Sequence, residues 1–397
     1  MPESASSYIA AARALAPQIH ELADAIEQSR RLPPTLVDAM ARAGLFRLWI
    51  PRSLGGEETD PMTLLRVVEE IAGADGAAGW CVALIGEYGV FGGYLPSEVA
   101  HEIYGSDPNV RTAGQLRPAG EARLVDGGYR VTGRWQFGSG CQHAHWIVGG
   151  CRIFDGAGPC LKPDGTAISR LLFFPAADCE IIDTWHTIGL RGTGSHDYAV
   201  SDVFVPTARS LSFQEPPVEQ GPLYAMPTVA LFGTALAAVS LGIARHAIDI
   251  LLAVVPTRKT GRSRGGGLRD EATVQTGLGH AEALLRSGRA FLYAALQDAW
   301  KSALAGQTLS VAQRAELWLA STQAANAAKQ ATELMFSAGS SASPFASFGL
   351  ERCVRDIHAS AQHICVAPAN YQVAGQAFLG LDMRASVLLS SDDRGTH

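Results

Sequence analysis

His363 closes the stretch Arg355 to His363, RDIHASAQH, and is the residue best suited to proton chemistry. An imidazole titrating near neutrality can take or give a proton, or hold a hydrogen bond to a developing charge. On a helix running over 350–366, His363 shares a face with Ala359 and Ser360, while His358 sits about 140° away, so the two histidines do not pair. Such a lone residue is more often a satisfied core histidine than a catalyst. Arg352, Arg355 and Asp356 suit structural ion pairs at the helix start. A second candidate is Gly138-Ser139-Gly140, which ends YRVTGRWQFGSG. Two residues without Cβ let backbone approach a flat ligand, Ser139 brings a hydroxyl, and Trp135 and Phe137 add aromatic surface. The plain alternative is a β-hairpin with a glycine bulge.

Other motifs carry less. Arg258, Lys259, Arg262 and Arg264, followed by Gly265 to Gly267, form a basic loop as suited to a phosphate as to solvent. GLRGTGS, Gly189 to Ser195, lacks the β-α-β setting and glycine spacing of a dinucleotide fingerprint. His143 and His145 would share one face of a strand, but no third ligand joins them, and no metal centre is expected. No P-loop, GxSxG elbow or HExxH helix is present, which lowers phosphoryl transfer and hydrolysis among the function classes.

The elements that position these residues follow from periodicity. Tyr129, Val131, Gly133 and Trp135 alternate with Arg130, Thr132 and Arg134, the pattern of a half-buried strand. Short β-rich runs from 110 to 205, including 146–152 and 171–175, predict a small barrel or sandwich. Residues 4–109 read as helical, with a helix starting at Asp60-Pro61 and an apolar stretch over 77–94 that contains Trp80, Glu87 and Tyr88. After Pro216-Pro217, helices are expected over 228–254, 270–305, 311–338 and 350–366. The fold class is α+β: an N-terminal helical domain over 1–110, a β domain over 111–215 and a helical bundle over 216–397.

Composition sets outer bounds. The 397 residues are 47% hydrophobic and 18% charged, ordinary for a globular chain with more than one core. A net charge of -6 without runs of one sign points away from nucleic acid and anionic membranes as partners. Residues 229–255 are apolar, yet Arg245, His246 and Asp249 interrupt them, so a buried core helix is expected rather than a membrane span. Seven cysteines without a CxxC pair, and no signal-peptide pattern, suit a reducing cytoplasm and free thiols.

Four stretches, in order, resemble the acyl-CoA dehydrogenase family, and within it the two-component flavin-dependent monooxygenases: LPPTLVDAMARAGLFRLWIPRSLGG, GGYRVTGRWQFGSGCQHAHW, WHTIGLRGTGSHDYAVSDVFVP and LERCVRDIHASAQH. The resemblance implies an N-terminal helical domain, a central β domain and a C-terminal four-helix bundle, usually in a homotetramer with flavin between subunits. It implies reduced flavin, FMNH2 or FADH2, supplied by a separate NAD(P)H flavin reductase, and O2 as cosubstrate. The reaction implied is hydroxylation of a small aromatic or heteroaromatic compound, or of an amine, through a C4a-hydroperoxyflavin.

By the same resemblance Trp135, Phe137 and Ser139 line the flavin ring, Arg264 and Gln275 reach its phosphate tail, and His363 stands near its reactive edge. Trp80, Glu87 and Tyr88 would supply the opposite, substrate-binding wall. Acyl-CoA dehydrogenases need a carboxylate at this edge, usually followed by Gly-Thr. Here the residues are His363-Ile364-Cys365, and that base is missing. Residues 115–118, QLRP, also lack the Ser or Thr often found before that proline. The competing reading within the fold is a flavin dehydrogenase or oxidase with an atypical base; outside catalysis, it is a scaffold that keeps only the fold.

Overall fold

A computed structural model describes residues 5–156, 158–255 and 267–381. The first part is helical: α1 (Ala5–Ser29), α2 (Pro34–Arg42), α3 (Pro61–Ala72), α4 (Gly76–Glu87) and the short α5 (Ser97–Ala100). Two aspartates start the helices that matter most here. Asp60 accepts a hydrogen bond from the Thr63 N–H at 3.1 Å, and Asp75 from the Ala78 N–H at 2.8 Å, which fills an otherwise orphaned helix donor in each case. Helix α4 is apolar on nearly every side and is buried accordingly, from Gly76 to Glu87.

The middle part is one sheet: β1 (Thr112–Val125), β2 (Gly128–Gly138), β3 (Trp146–Asp155), β4 (Gly158–Pro159), β5 (Ser169–Pro175), β6 (Glu180–Ile182), β7 (His196–Pro206) and β8 (Ser210–Leu211). The order is β6-β7-β2-β1-β3-β5-β8, with β4 paired to β3. Only β1 and β3 run parallel; the other pairs are antiparallel. These strands form the central β domain as one sheet curved around its own core. Its β3 and β5 strands are apolar in unbroken runs because both faces are covered. Ile147, Leu172 and Phe174 enter a core inside the curved sheet with Trp135 and Tyr198, whereas Val148, Leu171 and Phe173 enter the large core shared with the helices.

The last part holds α6 (Thr228–Val254), α7 (Ala272–Leu304), α8 (Val311–Ala338), α9 (Leu350–Ser360) and α10 (Ala369–Phe378). Among the described residues α6 alone is long and apolar enough to cross a membrane; it lies in the middle of the bundle, against α3, α4, α8 and α9. Helix α8 begins at a capping box in which Ser310 and Gln313 exchange hydrogen bonds.

One expected helix is shorter than its periodicity suggests. Helix α9 stops at Ser360, so His363 sits in a turn instead of on a helix face. Tertiary contacts end it: Ser360 Oγ meets Ser240 Oγ at 2.8 Å, and the Asn370 amide donates to Ile364 O at 3.0 Å, which fixes the reversal into α10.

Candidate active site

Helix α4 carries Trp80 against the end of β2, where its indole Nε1 donates to Ser139 Oγ at 3.1 Å. Ser139 Oγ lies 2.6 Å from Ser195 Oγ, and Ser195 Oγ lies 2.6 Å from Thr193 Oγ1. Thr193 donates its hydroxyl hydrogen to Leu190 O at 2.8 Å. Each hydroxyl owns one hydrogen. The chain therefore runs one way: indole N–H to Ser139, Ser139 to Ser195, Ser195 to Thr193, Thr193 to the carbonyl. Ser139 has spent its hydrogen and offers only a lone pair to any further group.

His363 approaches the same indole edge-on, with ring centroids 5.6 Å apart at 70°. The Cys365 N–H donates to His363 Nδ1 at 3.3 Å. The neutral ring therefore carries its hydrogen on Nε2 and presents a donor there. Burial holds its pKa down to about 4, so the ring is uncharged at neutral pH.

Glu87 ends α4 seven residues after Trp80, which puts both on one face of the helix. Its side chain is buried, Oε2 has no hydrogen-bond partner, and burial raises its pKa well above the carboxylate range, so it is held neutral. Tyr88 stacks on Phe91 at 4.8 Å and spends its hydroxyl on Gly114 O at 3.0 Å.

The aromatic pair of β2 is split. Trp135 is fully buried inside the sheet, stacked on Tyr198 at 5.2 Å and donating to Gly150 O at 2.7 Å, so it presents no surface to a ligand. Phe137, two residues on, is 57% exposed. The β2–β7 register slips between Trp135 and Gly138, and Phe137 adopts φ 65°, which turns its ring outward beside Trp185.

Gln275 lies exposed in the first turn of α7 and donates to Arg269 O at 3.0 Å; Arg264 falls outside the described residues. His143 ends a short turn, Cys141–His143, and His145 follows outside any strand, so the pair does not share a strand face as expected.

Several participants were not singled out from sequence. Thr193 and Ser195 belong to the GLRGTGS stretch, whose glycines serve close packing: a Cβ on Gly192 would meet Ile26 Cγ2 at 2.1 Å. Among the described residues Asp356 makes no ion pair as its neighbours do; its carboxyl accepts the Leu190 N–H at 2.6 Å. Burial, and then the nearby Asp75 carboxylate, push its pKa up to about 7. Arg352 and Arg355 pair with Glu27 of α1, and Arg355 also holds Ile188 O at 2.7 Å. Helix α9 thus fastens the loop before β7 to α1, and with it the hydroxyl chain.

This architecture and site define a class. Residues 5–98 match the acyl-CoA dehydrogenase N-terminal domain and residues 234–368 the C-terminal domain, and the chain belongs to that family, within its flavin-dependent monooxygenases. More particularly, it is 33% identical over 354 residues to an indole-3-acetate monooxygenase of Pseudomonas putida, spanning 89% of each chain. It is 30% identical over 378 residues to the flavin-dependent monooxygenase oxygenase subunit HsaA of Rhodococcus jostii, covering 93% of this chain and 97% of that one. The crystal structure of 3-HSA hydroxylase from Rhodococcus sp. RHA1 superposes with a TM-score of 0.89 at 28% identity, over 96% of this chain and 99% of the other.

Proposed function

We infer that this chain is the oxygenase component of a two-component flavin-dependent monooxygenase that hydroxylates a small aromatic or heteroaromatic compound, using O2 and reduced flavin from a separate NAD(P)H-dependent reductase. The reading is supported by the geometry around Trp80: an imidazole edge-on to the indole whose Nδ1 accepts the Cys365 N–H, a hydroxyl that accepts the indole N–H, and a buried carboxyl. A dehydrogenase that takes an α-proton needs a base with a free lone pair here; His363 Nδ1 already accepts the Cys365 N–H, and burial keeps Glu87 protonated. A related protein, XiaF from Streptomyces sp., is described in complex with FADH2; its TM-score is 0.88 at 26% identity, over 95% of this chain and 96% of that one.

The residues fit a flavin ring. Phe137 is an exposed aromatic plate held at a positive φ, and Ser139 beside it keeps an unfilled lone pair that suits an N–H of a reduced ring. Phe137 and Ser139 would hold the ring, and Gln275 with Arg264 its phosphate tail. Bound there, the flavin supplies the reducing electrons and the centre at which O2 is activated. The protein's part is orientation and dryness. His363 Nε2–H donates toward developing negative charge, while Trp80, Tyr88, Phe91 and Phe232 exclude water that would release peroxide unused. We further propose a homotetramer, supported by exposed Phe378 and Leu379 at the end of α10, and a cytoplasmic setting, supported by seven free cysteines.

The test is turnover of the purified chain with a flavin reductase, NADH, FMN or FAD, and 18O2 against indoles, phenols and aromatic amines. One 18O per product molecule is expected. Anaerobic bleaching of tightly bound oxidised flavin by a substrate, with no oxygen incorporated, would overturn the reading in favour of a dehydrogenase.

A further inference from the structure

Between the α1–α2 turn and the segment that leads into β3 lies a cavity of about 250 Å³, lined by Arg31, Asp38, Arg111, Gln142, His143 and His145 together with small apolar contacts. Trp80, Ser139, Glu87 and His363 do not border it. Its polar groups include donors without acceptors, and one buried acceptor, Gln142 Oε1, without a donor among the described residues. Arg31 makes no side-chain hydrogen bond or ion pair among the described residues, and its Nε is buried without an acceptor. His143 is only 9% exposed, and its ring nitrogens likewise have no hydrogen-bond partner among the described residues. Burial first, and then the guanidinium groups of Arg31 and Arg111, hold its pKa down to about 4 against the opposing Asp38 carboxylate.

Arg111 is fixed by its Nε donating to His143 O at 2.8 Å and its Nη1 to Asn109 O at 3.1 Å. Its backbone N–H donates to His145 Nδ1 at 3.2 Å, which places the neutral ring's hydrogen on His145 Nε2. That nitrogen lies 3.4 Å from Arg111 Nη2. Two donors therefore converge with no acceptor between them. Asp38, 54% exposed and 3.8 Å from Arg111, and Asp107 are the opposing charges. Both carboxylates act on Arg111, which leaves the Arg31 guanidinium as the cation of the cavity without an ion pair among the described residues.

We propose that this cavity binds a tetrahedral oxyanion, phosphate or the phosphate head of a small metabolite. Arg31 and the Arg111–His145 donor pair would contact its oxygens, and the buried His143 imidazole would lie beside it. Guanidinium groups and N–H donors match phosphate oxygens by charge-assisted hydrogen bonds. An anion beside His143 also favours its protonated form, so binding takes up a proton and tightens as pH falls.

The experiment is NMR of the full chain labelled at histidine, with His143 assigned by His143→Asn, titrated with inorganic phosphate in phosphate-free buffer, and calorimetry under the same conditions. The His143 pKa should rise by about one unit or more in phosphate, and affinity should increase as the pH falls from about 6 to about 4. Arg31→Gln should weaken binding about 10-fold or more, Arg31→Lys should retain most of it, and both should keep the thermal midpoint of the free protein. Tighter binding of glycerol 3-phosphate than of inorganic phosphate would identify a metabolite head; the reverse order would identify the free ion. An unmoved His143 resonance, or equal phosphate binding by wild type and Arg31→Gln, overturns the proposal whether or not the chain proves to be an oxygenase.

Discussion

The Trp80 indole N–H donates to Ser139 Oγ at 3.1 Å, joining α4 to the end of β2 across 59 residues of sequence. It feeds a hydroxyl chain whose polarity the Leu190 carbonyl sets: Thr193 donates to that acceptor, so Ser195 donates to Thr193 and Ser139 to Ser195.

Trp80→Phe keeps the ring and deletes the N–H. Stability should fall by about 1 kcal/mol, the usual net worth of one buried hydrogen bond. Peroxide release at the expense of product should rise as Ser139 becomes free to turn. Urea unfolding and a peroxide assay read the two effects; an unchanged unfolding midpoint would remove the bond from the account.

His363 is assigned a donor's task, and the variants separate that from a base's. His363→Ala should lower product formation by about 100-fold with flavin affinity intact, while His363→Gln, which retains an N–H, should recover about 10-fold of it. Since the folded pKa is about 4, the His363 resonance should show no titration between about pH 5.5 and about 8. Equal loss in both variants would point to proton abstraction instead.

Asp356 has a folded pKa of about 7, above the ordinary carboxyl value of 3.8. Between those limits the folded chain binds more protons than the unfolded one, so Asp356 stabilises the fold at low pH and that contribution is lost as pH rises through the folded value. Asp356→Asn keeps an oxygen for the Leu190 N–H and removes the titration. The decline in stability between about pH 5 and about 7 should flatten by up to about 1.4 kcal/mol per pH unit. An unchanged slope would mean that Asp356 is ionised in the fold.

Glu87 is buried with one oxygen unpartnered. Glu87→Met, similar in size, should therefore raise stability by about 1 kcal/mol, since it removes the desolvation cost without opening a cavity. Calorimetry checks this, and a lower midpoint would show that the carboxyl has a partner.

The long elements were legible because their signals are redundant. Helix α6 is apolar except at Arg245, His246 and Asp249 in its second half, and α8 is bounded by Ser310 at its start and Gly339 at its end. The Tyr129 to Trp135 alternation also described β2 correctly. It broke down at Phe137, where a register slip and a positive φ send two aromatics of like parity to opposite sides. Nothing local announces that slip.

His363 was chosen as a chemical type and is indeed beside Trp80, yet its place in a turn depends on Asn370 and Ser240, which are remote in sequence from the α9 periodicity. Thr193 and Ser195 stayed hidden because a hydroxyl chain has no spacing of its own; it exists only once β7 and α4 have met.

The pairing of Arg352 with Glu27 spans 325 residues. On the ribosome, α1 is finished long before its partner exists. At about 5–20 residues per second, the interval is on the order of tens of seconds. Throughout that interval Glu27 has neither Arg352 nor Arg355 to pair with, and the Leu190 loop has no Asp356 to anchor it. A nascent chain of this design must wait for its last helices, and a stop codon placed even shortly before residue 350 would release a protein with most of its mass and none of its clasp.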